Sequence, residues 1–384
     1  GGGIAVLFYA AMILSSGARV DIVNNDAGAR GGGMCMIDYV SLDASGSGTQ
    51  LVVKGNTAQE RGGGIYSENV AIAISAGAHF EVTNNNAQTD GGGMRLQNTK
   101  LKISGNKTSG IIGNNKAGQN GGGFAANIDS KITCSHGAHL NITYNVVTRG
   151  AGGGLHMDSS ILSIVDPGTR LSIDHNMALH SKGGGIYATS RSSVTASAGA
   201  RLDVVNNNAK LGGGMSLREG GTRLDVTGSM TELIVENNTA TVNGGGILMD
   251  SGVVVQVTGK NTFYANTAIK GRGGGLALSE SNDGGSNCVS LSLKVNIPRL
   301  NAFAGSLEAN VDSNGEKLIG HGATSLQIKT LPSTALFSMN QRANIENKYT
   351  DWCIPCGEYK FVTSTGFTGS GASGMYFNIS DEGT

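Results

Sequence analysis

Charge, proline and aromatic side chains are all scarce in this sequence. Of 384 residues, 15% are charged, 5% are aromatic, four are proline and one is tryptophan. Lysine plus arginine and aspartate plus glutamate balance at 28 each, and there is no basic stripe with aromatic platforms and no polybasic run. We therefore expect neither nucleic acid nor an anionic membrane surface as a partner.

Long hydrophobic runs are also missing. The longest spans residues 4–14, and its 11 residues are too few to cross a bilayer, so we expect no membrane span in this segment. No basic segment precedes it, so it does not resemble a signal peptide. We expect instead a coil with an apolar outer face that a neighbour covers. Because the chain starts inside a repeat and without methionine, we also expect further coils upstream in a longer protein.

Glycine, by contrast, is abundant and regularly placed. The sequence contains 62 glycines, and a triple glycine followed by Ile, Met, Leu or Phe begins at residues 1, 31, 62, 91, 121, 152, 183, 212, 244 and 273. A period of about 30 residues is typical of stacked repeats, in which each unit buries its apolar face against the next.

An asparagine precedes every triple glycine after the first. It lies three residues after an apolar residue, and in eight of nine repeats an alanine follows two positions later. The nine are Asn25, Asn56, Asn85, Asn115, Asn145, Asn176, Asn207, Asn238 and Asn266. Because asparagine accepts left-handed backbone and its amide both donates and accepts, we expect these residues to lie at a turn and to hydrogen-bond along a structural column.

Apolar residues alternate before and after the glycines, which indicates strands. A third alternating segment lies between them, as at residues 71–74, and often ends in a Gly-Ala or Gly-Thr turn. The predicted fold is therefore all-β: a right-handed parallel β-helix, or solenoid, with about 30 residues and three short strands per coil.

The repeated motifs resemble those of the polymorphic outer membrane protein family, which is known from chlamydial adhesins and from large surface proteins of protists and algae. Phe263-Tyr264-Ala265-Asn266 matches the family's FxxN motif, and each GGG followed by an apolar residue is similar to its GGA[ILV] motif, with glycine in place of alanine. The resemblance covers about residues 1–280. It implies a β-helical, extracellular or cell-surface protein with an adhesive or structural role.

The organisation changes after the last triple glycine. Residues 1–280 form the predicted β-helix, and residues 281–352 are predicted to be degenerate closing coils with longer loops. Residues 353–384 begin with Cys353 and Cys356 and resemble the start of an ephrin-receptor-like cysteine-rich module, which implies disulfide bonding by these cysteines. A zinc half-site or a thioredoxin-like pair is the alternative. Cys35 and Cys134 lie three coils apart, too far for a disulfide, and a buried free thiol is expected at Cys134.

Four N-x-[ST] sequons make the chain a candidate glycoprotein. Their asparagines are Asn106, Asn141, Asn237 and Asn378. Asn141 lies between two apolar residues of a predicted strand, so the alternation of side chains points it outward. Glycosylation is expected there if the protein is secreted by a eukaryotic cell.

The sequence shows no cluster of catalytic or metal-binding residues. β-Helical polysaccharide lyases and polygalacturonases need paired carboxylates, or a base with acidic calcium ligands, on one face. Asp43, Glu68, Asp158 and Asp250 follow the glycines at scattered offsets, so we expect them at solvated outer positions. The seven histidines occupy different repeat phases. We therefore expect no catalytic residue, no metal and no cofactor.

The first functional hypothesis is a non-enzymatic extracellular structural or adhesive protein, a rod segment of a larger cell-surface or filament-forming protein. Its expected partners are other copies or fibre and coat proteins, through lateral or end-to-end contacts, and also glycans. A carbohydrate-active β-helix enzyme and a bacterial autotransporter adhesin passenger are the alternatives.

Overall fold

The computed structural model describes residues 1–250, 252–271 and 273–278, together with the backbone of six short strands between residues 289 and 377. The chain coils so that each repeat lies beside the next, and its strands form four parallel ladders. No helix occurs among the described residues. The predicted all-β parallel β-solenoid, with about 30 residues per turn, is confirmed; its right-handed sense stays a prediction.

Ladder 1 follows the glycines, and ladder 2 continues from it after a turn. The strands of ladder 1 are Ile4–Leu7, Met34–Ser45, Ile65–Ser75, Met94–Gln97, Phe124–Asn127, Leu155–Asp158, Ile186–Thr189, Met215–Leu217, Ile247–Met249 and Leu276–Leu278. Two of these, Met34–Ser45 and Ile65–Ser75, run on into ladder 2. Its other strands are Ala11–Leu14, Lys100–Ser104, Lys131–Ser135, Ile161–Val165, Ser193–Ser197, Arg223–Val226, Val254–Val257, Val289–Leu293 and Met375–Phe377.

Ladders 3 and 4 flank the asparagines. Ladder 3 precedes them and comprises Arg19–Val23, Gln50–Lys54, His79–Thr83, Ser109–Gly113, His139–Thr143, Arg170–Asp174, Arg201–Val205, Glu232–Glu236 and Lys260–Tyr264. Ladder 4 follows them and comprises Asp26–Ala27, Thr57–Ala58, Asn86–Ala87, Lys116–Ala117, Val146–Val147, Met177–Lys182, Asn208–Leu211, Thr239–Ala240 and Thr267–Ala268. This fourth, very short strand per coil is one more than the sequence predicts.

Beyond the coils, two antiparallel pairs are described as backbone only. They are Leu326–Leu331 with Thr334–Met339, and Gly357–Tyr359 with Gly369–Gly371. Apart from these strands, the closing coils predicted for residues 281–352 and the cysteine-rich module predicted for residues 353–384 lie outside the described residues. Cys353, Cys356 and Asn378 belong to that part of the chain.

The core is one continuous apolar column inside the coil. Neighbouring coils pair in register, so that Met94 lies opposite Phe124 and Ile112 opposite Ile142. Alternate residues of ladders 1, 2 and 3 point inward and are buried, except in the first coil, where residues such as Ile4 and Val20 are partly buried. Each buried Leu, Ile, Val or Met stabilises the fold by about 1.5–3 kcal/mol. Stacked repeats that bury such a set in every coil derive most of their stability from contacts with neighbours.

The three glycines of each repeat form a tight turn, and two of them are required for different reasons. Gly152 has a φ of 73°, a left-handed conformation that favours glycine. A Cβ on Gly154 would lie 2.7 Å from the carbonyl oxygen of Gly185 and 3.0 Å from the side-chain amide of Asn176. The glycine column therefore packs closely against both the next coil and the asparagines.

The left-handed backbone expected at the ladder asparagines lies one residue earlier in the chain. The ladder asparagines do not have positive φ; the residue immediately before each of them does, as at Asn24, Asn84, Tyr144 and His175, with φ of 54–56°. This explains why Asn or Gly occupies that preceding position in six of nine coils. The ladder asparagine itself is free to point its amide into the stack.

Candidate functional site

The nine repeat asparagines lie in one column along the rod. Each side-chain amide donates to the side-chain oxygen of the next, over 2.9–3.1 Å from Asn25 to Asn266. The same oxygen accepts the preceding asparagine's backbone N–H, as between Asn145 and Asn176 at 3.0 Å. Asn145 Nδ2 also donates to Ile112 O at 2.8 Å. Since these bonds occupy the amides within the column, the geometry favours a structural role over ligand binding.

Three candidate glycosylation asparagines lie in the described coils. Asn106, Asn141 and Asn237 are all exposed, and Asn141 lies on the outer face of ladder 3. The threonine of the first sequon, Thr108, is buried, and its hydroxyl donates to Ser104 O and accepts from Gly77 N, both at 2.9 Å. Glycosylation of these residues stays a prediction.

Cys35 and Cys134 are both buried free thiols. Burial raises the pKa of Cys134 to about 12, so it is a neutral thiol at physiological pH. Among the residues that the structure describes, no three His, Cys, Asp or Glu side chains are grouped to hold a metal ion. Within that same part of the chain, no helix has the length and apolar character needed to span a bilayer.

The four acidic residues predicted to be solvated divide into two groups. Asp43 is exposed on ladder 2, as expected. Glu68, Asp158 and Asp250 share the fourth position after the glycines, so their offsets are not scattered. Asp250 is buried and accepts a 2.5 Å hydrogen bond from Arg218 Nε, which makes its assignment as a solvated residue wrong. A paired carboxylate can be buried where a lone one cannot.

Glu68, Asp158 and Asp250 belong to a band that we call the lateral strip. It consists of the residue before each triple glycine and the second and fourth residues after it, from Arg30 to Asp250. The second residues point away from the core yet are buried, because the glycine turn folds back against them; Tyr187 alone is half-buried. They are Cys35, Tyr66, Arg95, Ala125, His156, Tyr187, Ser216 and Leu248.

At one end of the lateral strip, polar side chains of three coils are bonded together. Arg30 Nη1 donates to the hydroxyl of Tyr66 at 3.1 Å, and its guanidinium lies 5.1 Å from the centre of that ring. The Tyr66 hydroxyl donates to Glu68 at 2.7 Å, and Gln97 donates to the other oxygen of Glu68 at 3.0 Å. Burial, followed by the hydrogen bond to Glu68, raises the pKa of Tyr66 to about 12.

The middle of the lateral strip holds a buried arginine. Arg95 donates to the side-chain oxygen of Asn127, and burial lowers the pKa of its guanidinium. Asp90, beside it, accepts from Asn120 Nδ2 at 3.1 Å and lies 3.8 Å from Arg61 Nε. Charged and amide groups of three coils thus meet around Asp90.

A buried histidine and a tyrosine follow along the strip. His156 stacks on Tyr187 with ring centroids 5.1 Å apart. Burial lowers the pKa of His156 to about 4, so its imidazole is neutral at physiological pH. The next coils contribute the ion pair between Arg218 and Asp250.

Several buried polar atoms of the lateral strip have no hydrogen-bond partner among the described residues. They are Arg95 Nε, His156 Nδ1, Thr189 Oγ1 and Ser216 Oγ. Native folds rarely leave such atoms unpaired, and those that remain call for a water, an ion or a ligand. The strip is not among the features predicted from the sequence. Its sequence signal is the second position after the glycines, where Tyr, Arg and His alternate with Ala, Cys and Leu.

Comparison with known proteins gives a family match over one repeat. The profile of the Chlamydia polymorphic membrane protein repeat matches residues 50–68. No curated protein matches the chain. A solved structure of a hyper-glycosylated TibA fragment, glycosylated by TibC, shares 15% identity over 75% of this chain and 93% of its own, with a TM-score of 0.16 that supports no argument. Over residues 50–68, the chain is therefore similar to the Chlamydia polymorphic membrane protein repeat.

Proposed function

We propose that this protein is a non-enzymatic, cell-surface adhesion module that binds its partner along the side of the rod. The repeat match and the parallel β-solenoid fit a surface or adhesin-like β-helical protein. Nine coils at about 4.8 Å each give a rod roughly 40 Å long. Binding along such a rod suits a partner that is itself extended or repetitive.

The observation that carries the proposal is the register of the coils. Because the strands of the coils pair with their equivalents one repeat later, residues about 30 positions apart become neighbours on the outer surface, as Lys100 and Lys131 do. Such columns give a long contact surface in place of a single pocket. The lateral strip is one such set of columns, and its polar side chains are bonded to one another across neighbouring coils.

Adhesion can be measured with beads that carry the full chain. We expect saturable attachment to cultured epithelial cells, competed by soluble protein, while albumin-coated beads attach weakly. Attachment no better than albumin would contradict the adhesive function. Release of reducing ends from pectin or polygalacturonate by the purified chain would support the carbohydrate-active enzyme instead.

A further inference from the structure

The lateral strip has two features that the stability of the fold does not require: buried polar atoms without a partner, and a polar edge that solvent reaches. Four of its polar atoms are buried and lack a protein partner among the described residues, including Arg95 Nε and His156 Nδ1. The residues that carry these two atoms are more than nine-tenths buried, with 5% and 8% exposure. Around them, the side chains of Asn120, Asn127 and Asp158 remain half-buried, so solvent reaches the edges of the strip.

We propose that the lateral strip between Tyr66 and Asp250 binds a neutral oligosaccharide chain that lies along the rod axis. This inference rests on the proposed adhesive function and names the chemical class of its ligand. Sugar hydroxyls both donate and accept, so they match the mixture of amide, carboxylate, imidazole and guanidinium groups on the strip. At the edge of the strip they reach the half-buried Asn120, Asn127 and Asp158 directly, and they reach the buried unpartnered atoms only through a bridging water.

The aromatic side chains of the strip support a sugar ligand. Tyr187 is half-buried and stacked on His156, which fixes the orientation of its ring. A fixed ring offers an apolar face with a polar edge, as a pyranose does. Successive coils are separated by about 4.8 Å, which is comparable to the advance of an extended hexose chain per sugar.

The charges of the strip argue against a polyanion. Arg30, Arg61, Arg95, Lys182 and Arg218 face Glu68, Asp90, Asp158 and Asp250, which leaves one net positive charge along the strip. A single net charge spread over eight coils gives little attraction for a sulfated glycan or a nucleic acid.

The backbone argues against a peptide that adds as a strand. Strand addition needs an open sheet edge with free N–H and C=O groups. In ladder 1 and in the glycine turns these groups pair with the next coil, as Met94 N does with Gly123 O at 2.9 Å. Recognition along the side of the strip must therefore use side chains, which suits a glycan better.

Isothermal titration of the full chain tests the proposal. The probes are maltohexaose, cellohexaose, laminarihexaose and mannohexaose, with heparin as a polyanion and a polyalanine-based peptide as an extended chain. We expect at least one hexaose to bind and the other two probes not to bind. No hexaose binding at millimolar concentration, or binding of heparin or the peptide alone, overturns the inference.

Matched variants locate the site. Tyr187→Ala and Asn120→Ala, both at the half-buried edge, are expected to weaken hexaose binding about tenfold or more. The controls are Tyr144→Ala, since Tyr144 stacks on His175 at 4.7 Å on another face, and Asn141→Ala on ladder 3. Both should bind as the unchanged chain does, and thermal melts verify that all four fold. Equal effects of strip and control variants also overturn the inference.

The adhesion assay separates this inference from the proposed function. If beads attach to cells but no hexaose binds and the strip variants attach normally, the adhesive function stands and the glycan site falls. If hexaoses bind at the strip but beads do not attach, the site stands and the adhesive function falls.

Discussion

At the scale of single residues, the asparagine column makes a sharp prediction about stability. Replacing Asn176 with Leu removes the acceptor for two N–H groups of Asn145 and the donor to Ile142 O. A buried group left unpaired costs about 1–3 kcal/mol, so Asn176→Leu should lower the free energy of unfolding by at least that much. Ser172→Ala, on the outer side of ladder 3, should cost less than about 0.5 kcal/mol. Urea unfolding compares them, and similar losses would refute the structural role.

His156 makes stability depend on pH. Its pKa is lowered to about 4 in the folded state, whereas an unfolded histidine has the ordinary value of 6.5. Between these values the unfolded chain binds the proton more tightly. The stability that neutral His156 contributes is therefore complete above pH 6.5 and is lost as pH falls toward 4, by up to about 3 kcal/mol.

The variant His156→Gln isolates this contribution from the carboxylates that titrate nearby. We expect the free energy of unfolding of the unchanged chain to fall more steeply between pH 6.5 and pH 4 than that of His156→Gln. His79→Gln replaces a half-buried histidine on ladder 3 and serves as the control. Parallel curves for the unchanged chain and His156→Gln would show that His156 is not held neutral by the fold.

At the scale of the turn and strand elements, the left-handed position before each ladder asparagine predicts a stabilising substitution. Ala265 has a φ of 51°, and its side chain is exposed. The left-handed backbone is therefore strained at this residue, and no packing of the methyl group compensates for the strain. Ala265→Asn should raise the free energy of unfolding by up to about 1 kcal/mol. Ala29→Asn, at an exposed position without positive φ, should bring no gain. Thermal melts of the two variants decide whether the turn is strained as described.

Alternation and periodicity explain why most strands could be predicted. Pairs such as Ile72 and Ile74 show the inward face directly, because a strand buries every second residue. Ladder 4 could not be predicted, because seven of its nine strands have only two residues and no period can be recognised in so short a segment. The position of the left-handed backbone could not be predicted, because Asn24 and Asn25 are both asparagines and the sequence alone does not tell which one adopts it.

The lateral strip could not be predicted in the same way. Its residues point outward by the alternation rule, and outward residues are expected to be exposed. They are buried because the glycine turn of the same repeat folds back on them, so closely that a Cβ on Gly152 would lie 2.7 Å from His156 N. Ion pairing of Asp250 with Arg218 likewise joins residues 32 positions apart. The first feature follows from the geometry of the turn and the second from the register of the coils, and the alternation of side chains reveals neither.

At the scale of the whole molecule, the first two coils present an aromatic surface. Tyr9 and Tyr39 are stacked with ring centroids 5.1 Å apart and an interplanar angle of 6°, yet they are 80% and 67% exposed. Phe8 and Ile13 beside them are also exposed. Exposed apolar patches of this kind mark interaction surfaces. This is the coil for which the sequence predicts an apolar outer face covered by a neighbour.

We expect this surface to join two copies of the chain. Sedimentation equilibrium of the full chain should show a mass that rises with concentration. The double variant Tyr9→Ser, Tyr39→Ser should associate only at about tenfold higher concentration, because aromatic side chains at the centre of an interface contribute most of the binding energy. Tyr144→Ser removes another exposed tyrosine and should leave the association unchanged. A monomeric chain at every concentration would rule out assembly through this surface. A single rod could then still adhere, because the proposed binding surface, the lateral strip, begins at Arg30 and does not include Tyr9.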